Sequence, residues 1–306
     1  MNRFENGARV CFIGDSLVAA NQTLPRIIDH YNKYFPNSDV RFFNCGTSGG
    51  SYRSLINFFE DDVLSHKPTH AVVAFGVNDS QRDLLGEPRS DSRLNKLKAA
   101  FENYKKNVKE SYDLLTSHGI KMIICTPAPY DEYTPGENLG YRGGYAIMLG
   151  YADFIRAFAK ENGIELCDYH AFLSQMLETE TEPVYSPDRV HPLPHGYYLI
   201  AKCFLAHQGL EIDEEAPIPE YLDEWILTVG KLRTIFGTEH MLIKDYKKPL
   251  EEKMALMEEK VRTENWGCPV FERFIRGFVA EKRNQDELYK KIDELYEKDI
   301  IGHYSK

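Results

Sequence analysis

Five short runs of consecutive apolar residues punctuate the chain, at Arg9–Gly14, Val40–Asn44, His70–Phe75, Lys121–Thr126 and Ile164–Asp168. They are continuous rather than alternating, which is the pattern of strands buried on both faces of a parallel sheet. Longer stretches between them carry apolar residues at helical spacing: Leu24–Phe35, Tyr52–Ser65, Ser92–His118 and Tyr145–Asn162, with a last one at His195–His207. In the second, Leu55, Phe58, Phe59, Val63 and Leu64 mark one face; in the fourth, Ala152, Ile155 and Ala159 do. Strand alternating with helix predicts an α/β fold, a three-layer α/β/α sandwich around a five-stranded parallel sheet with right-handed crossovers. The pattern stops near residue 210.

The remaining residues, 211–306, show no further strand signature. Leu250, Met254, Met257 and Val261 follow helical spacing, as do Leu288, Ile292 and Leu295, and Pro217, Pro219, Pro249 and Pro269 mark helix starts. The expected organisation is a domain at 1–210 and a helical C-terminal extension at 211–306. That extension either packs on the sandwich, gates a site or joins two copies of the chain as a homo-oligomer.

Composition narrows the partners. Lys and Arg total 37 and Asp and Glu total 47, a formal charge of −10, with a pI near 5.5. A nucleic-acid partner needs a positive stripe, and an anionic membrane needs a basic surface, so neither is expected. The start, Met1-Asn2-Arg3-Phe4-Glu5-Asn6-Gly7, has no apolar leader, and no run is long enough to span a bilayer, so a cytoplasmic location is expected. The six cysteines form no C-x-x-C pair; four lie in or beside predicted strands and read as reduced core thiols.

The candidate chemistry sits at the ends of the predicted strands. Gly14-Asp15-Ser16 follows the first strand directly, which places a serine hydroxyl at the carboxyl edge of the sheet, where ligands bind in open α/β folds. A turn serine or helix cap would look the same. The serine matters only if a base reaches it, and Pro187-Asp188-Arg189-Val190-His191-Pro192 offers one. Asp188 three residues before His191 lets one loop carry both, the carboxylate holding one ring nitrogen and leaving the other for a hydroxyl. Asn78, in Phe75-Gly76-Val77-Asn78-Asp79, offers a side-chain amide to an oxyanion. Gly49, in Asn44-Cys45-Gly46-Thr47-Ser48-Gly49-Gly50, lets a backbone N–H come close to a substrate oxygen. A metal site from Asp188, His191 and His195 is set aside, because Pro192 and Pro194 break the helix that a paired-histidine ligand set needs.

Taken together, these four segments resemble, in order and spacing, the SGNH hydrolases, the superfamily that contains the GDSL lipases and esterases. The resemblance covers residues 8 to about 208. It implies a flavodoxin-like SGNH fold, with Ser16 as nucleophile, His191 as base and Asp188 as its orienting partner. It further implies an oxyanion hole from the Ser16 and Gly49 N–H groups and the Asn78 amide, Gly49 standing five residues after Asn44. The reaction implied is hydrolysis of an ester through an acyl-enzyme, with no metal and no organic cofactor.

For the substrate, Asp15 and Asp79 at the strand ends are candidate contacts, with Tyr130, Tyr141 and Arg142 in the long segment 128–144. Tyrosines among polar neighbours suit sugar rings or small aromatic esters. A short-chain ester is expected, such as an acetylated carbohydrate, with a lysophospholipid or thioester as the alternative. A different class also stays open: a binding or scaffold protein that acts through the C-terminal helices.

Overall fold

The computed structural model describes residues 3–86, 90–134 and 143–211. The chain divides into two compact units, Met1–Pro217 and Ile218–Lys306. The helical reading of 211–306, and any oligomer contact through it, lies outside the described residues.

The first unit is an α/β sandwich. Its strands are β1 (Arg9–Gly14), β2 (Arg41–Gly46), β3 (His70–Ala74), β4 (Lys121–Cys125) and β5 (Glu165–Cys167). They form one sheet in the order β2-β1-β3-β4-β5, with every pairing parallel. Among the described residues, eight α-helices connect or flank them: α1 (Ser16–Ala19), α2 (Leu24–Tyr34), α3 (Tyr52–Asn57), α4 (Phe59–Asp62), α5 (Asp91–Ser117), α6 (Gly144–Asn162), α7 (Tyr169–Thr179) and α8 (Pro194–His207). The order reverses direction between β1 and β3, which opens a crevice at their carboxyl ends.

Successive strand residues face opposite layers. Cys11, Ile13, Ala71, Val73 and Ile124 belong to a core shared with Leu55, Tyr104, Val108, Tyr151 and Ile155 from α3, α5 and α6. On the other face, Phe12 meets Phe204 of α8 edge-on, with ring centroids 5.0 Å apart. Five cysteines, Cys11, Cys45, Cys125, Cys167 and Cys203, are buried free thiols. Cys268 lies outside the described residues.

Three departures from the sequence pattern have local causes. Tyr52–Ser65 is not one helix: it breaks at Phe58, whose ψ of 16° leaves the helical range, and resumes as α4. The break lets Leu55, Phe59 and Val63 all stay buried while Phe58 is 46% exposed. β2 runs on through Cys45 and Gly46, which pair with Ile13 and Gly14. And α7 follows β5 at once, because Asp168, placed in the strand by its apolar neighbours, caps the helix by accepting from the Ala171 N–H.

Candidate active site

β1 delivers Ser16 to the crevice. Asp15 follows the strand in extended backbone and caps α1, its carboxylate accepting from the Leu17 N–H at 3.0 Å. Ser16 is therefore the first helical residue, and its own N–H has no acceptor within the helix. Asn44, 8% exposed, ties this turn to β2: its side-chain amide donates to Val18 O at 2.9 Å and to Asn21 Oδ1 at 2.7 Å, and its carbonyl accepts from Gly46 N. Gly46 permits the contact, since a Cβ there would lie 2.3 Å from the Ala19 nitrogen.

Far along the chain, residues 184–193 fold into a tight loop. Leu193 N donates to Val184 O, Ser186 N to His191 O and Arg189 N to Ser186 O, with Tyr185 bridged to Pro192. Arg189 takes a left-handed backbone, φ 67°, to close the turn. Inside it, Asp188 is heavily engaged. Oδ1 accepts from the N–H groups of Val190 and His191 and from Ser186 Oγ, at 3.1, 3.0 and 2.6 Å. Oδ2 accepts from His191 Nδ1 at 2.5 Å. Burial raises the cost of its charge, but these four donors outweigh it and hold the carboxyl well below the usual range.

The two segments meet. Ser16 Oγ lies 2.8 Å from His191 Nε2. A carboxylate is an acceptor only, so Nδ1 carries a hydrogen toward Asp188, and Nε2 is the ring nitrogen that faces the serine hydroxyl. The His191 and Asp188 side chains are 38% and 34% exposed, so the group opens to solvent.

The segments that carry Gly49 and Asn78 are bonded to each other: the Asn78 amide donates to Gly50 O at 2.8 Å, which uses one of its two N–H groups. Gly49 has φ +74°, a left-handed conformation that favours glycine.

The remaining candidates fare differently. Asp15, expected to touch substrate, is 4% exposed and spent on capping α1. Tyr130, expected likewise, is 3% exposed and packs in the core, its ring filling the space beside Gly144. Asp79 accepts from the Tyr52 N–H. Tyr141 and Arg142 lie outside the described residues. His195 sits in the first turn of α8 against Glu180 and Glu182. Among the described residues no cluster suits a metal ion. No helix among them is long and apolar enough to cross a membrane.

Sequence reasoning missed a pair that braces the loop. Arg189 and Asp131, both buried, bond to each other through side chain and backbone. No spacing rule points to contacts between residues 58 positions apart.

Known proteins resemble this chain in sequence and fold. The profile of the GDSL-like Lipase/Acylhydrolase family fits residues 12–199. The chain belongs to that family. It is accordingly a carboxylic ester hydrolase of the SGNH superfamily. It is 24% identical over 221 residues to an acetylxylan esterase from Geobacillus stearothermophilus, covering 67% of this chain and 96% of that protein. An uncharacterized lipoprotein from Bacillus subtilis is 25% identical over 144 residues, 43% of this chain and 55% of that protein. Among solved structures, the Geobacillus stearothermophilus acetylxylan esterase superposes with a TM-score of 0.57 at 21% identity, covering 70% of this chain and 99% of that one. A gut microbial diltiazem-metabolizing enzyme gives a TM-score of 0.61 at 23% identity, covering 68% of this chain and 48% of the other. The chain thus spans about half the length of that enzyme.

Proposed function

We propose that this GDSL-family hydrolase is a serine esterase acting on short-chain esters, and on acetyl esters of carbohydrates in particular. Its nucleophile is Ser16, its base His191 and the orienting carboxylate Asp188. The observation that carries the reading is the 2.8 Å contact from Ser16 Oγ to His191 Nε2, with Asp188 on the opposite ring nitrogen.

The chemistry runs in two halves. Ser16 Oγ attacks the ester carbonyl carbon as Nε2 takes its proton. The carbonyl oxygen becomes an oxyanion, held by the Ser16 and Gly49 N–H groups and the Asn78 amide. The imidazolium, steadied by Asp188, returns the proton to the departing alkoxide, which leaves as the alcohol. Water then attacks the acyl-serine with the same base, the carboxylic acid departs and Ser16 regains its hydrogen.

The carbohydrate alcohol is supported by the acetylxylan esterase relative, several of whose solved structures are described as catalytic mutants, at a serine, an aspartate and a histidine.

The test is a panel of acetyl, butyryl and octanoyl p-nitrophenyl esters together with acetylated xylooligosaccharides. Acetyl should be the best acyl group, the sugar acetates should be cleaved, and Ser16→Ala should remove turnover and labelling by a fluorophosphonate. Full activity in Ser16→Ala defeats the mechanism. An octanoyl preference moves the substrate toward lysophospholipids or thioesters.

A further inference from the structure

The turn after β3 is tied to the start of α3 by two adjacent residues. Asn78 reaches Gly50 O, and Asp79 Oδ1 accepts from Tyr52 N, the first residue of α3, at 3.3 Å. Both bonds cross from the turn that carries Asn78 to the segment that carries Gly49. The turn is itself closed, with Ser80 N donating to Gly76 O and Ser80 Oγ to Val77 O at 2.7 Å.

Behind the turn, the other carboxyl oxygen, Asp79 Oδ2, is buried without a hydrogen-bond partner among the described residues. The Asp79 carboxyl acts electrostatically on three phenols from three helices. Tyr52 of α3, Tyr104 of α5 and Tyr151 of α6 are 0%, 1% and 4% exposed, and their rings pack 5.4 and 4.4 Å apart in succession. The Tyr52 and Tyr104 hydroxyls also lack partners among the described residues, while Tyr151 donates to Asp79 O at 3.5 Å. Burial first, and then the Asp79 charge, push the pKa of Tyr52 and Tyr151 up; Tyr104 is raised by burial, Tyr52 and Asp79. The Asp15 charge also acts on Asp79, raising its pKa. Cores avoid such a concentration of unsatisfied polar atoms unless something else depends on it.

We propose that Asp79 is a positioning residue for the oxyanion hole. Its carboxyl fixes the first turn of α3, and so the Gly49–Gly50 turn, against Asn78, which makes the Gly49 N–H and the Asn78 amide converge on one point. Donors of this kind act only when they are already aimed at the place where charge develops. The inference rests on the oxyanion assignment above.

The experiment compares the full chain with Asp79→Ala and Asp79→Asn on p-nitrophenyl acetate, with Ser16→Ala as reference. Ser16→Ala judges the esterase reading alone; the Asp79 variants are judged only as ratios to the wild type. Asp79→Ala should lower kcat by 10- to 100-fold and leave KM within about threefold, because the loss falls on the transition state. Asp79→Asn keeps an amide oxygen for the Tyr52 N–H and should stay within about fivefold of wild-type kcat. If Asp79→Ala gives no cooperative melt, Asp79→Leu, of the same branching but without polar atoms, is read by the same criteria. A tetrahedral boronic-acid adduct should weaken in Asp79→Ala by the same factor as kcat/KM, a coupling that general loosening would not produce. The proposal is overturned by kcat within threefold of wild type in Asp79→Ala, by a loss confined to KM, or by Asp79→Asn failing as badly as Asp79→Ala.

Discussion

Arg189 and Asp131 lock the loop at 184–193 to the segment after β4 with bonds in both directions. The Asp131 N–H donates to Arg189 O at 3.0 Å, and Arg189 Nη1 donates to Asp131 Oδ2 at 3.5 Å and to Thr134 O at 2.6 Å. Their side chains are 7% and 1% exposed. Removing one partner of a buried pair strands the other's charge, which typically costs about 3–5 kcal/mol. Arg189→Met and Asp131→Leu should each lose stability on that scale, and the double variant should lose clearly less than the sum. Urea midpoints across the double-mutant cycle measure this. Additive losses would show that the two side chains do not act as a pair.

Asp188 and Asn78 separate two contributions to rate. Asp188→Asn preserves shape but removes the acceptor that holds Nδ1–H, leaving His191 free to adopt the wrong tautomer. Such a change costs on the order of 10⁴-fold in a serine triad. Asn78→Ala removes the donor proposed for the oxyanion and should cost roughly 10²- to 10³-fold in kcat. Steady-state kinetics at saturating substrate checks both. If Asn78→Ala changes KM alone, its amide binds the ground state and not the oxyanion.

The strands were readable because burial on both faces makes each a continuous apolar run. Their ends were less so: Phe75, Thr126 and Asp168 continue the apolar or polar trend but lie outside the ladder. Ser16, Asp188 and His191 were readable because each stands in a short segment whose order reflects a local turn. Asn44 was visible only as a marker for Gly49, since its bonds to Val18 and Asn21 depend on how α1 lands on β2. The Asp79–Tyr52 bond likewise spans 27 residues. Tyr130 misled for the same reason: a tyrosine in a polar segment gives no sign that a glycine fourteen positions on will clear a core site for its ring.

Asp15 and Asp79 make a prediction about pH and stability. Burial, against the pull of the Leu17 N–H and His191, pushes Asp15 up to about 6. Burial, aided by the Asp15 charge and opposed by the Tyr52 N–H, pushes Asp79 up to about 7. In the unfolded chain both titrate near 3.9. Between roughly pH 4 and 7, therefore, the native state holds protons that the unfolded state has released, and stability from these groups falls as pH rises. Asp188 works in the opposite sense: its depressed pKa contributes stability above about pH 4 that is lost in stronger acid. Asp79→Asn carries no ionisable group, so it should gain stability relative to wild type as pH climbs from 4.5 to 8. Urea midpoints of the two proteins at several pH values read the difference directly. Parallel curves across that range would mean that Asp79 is already ionised at pH 4.5, and that its burial is offset by contacts other than the Tyr52 N–H.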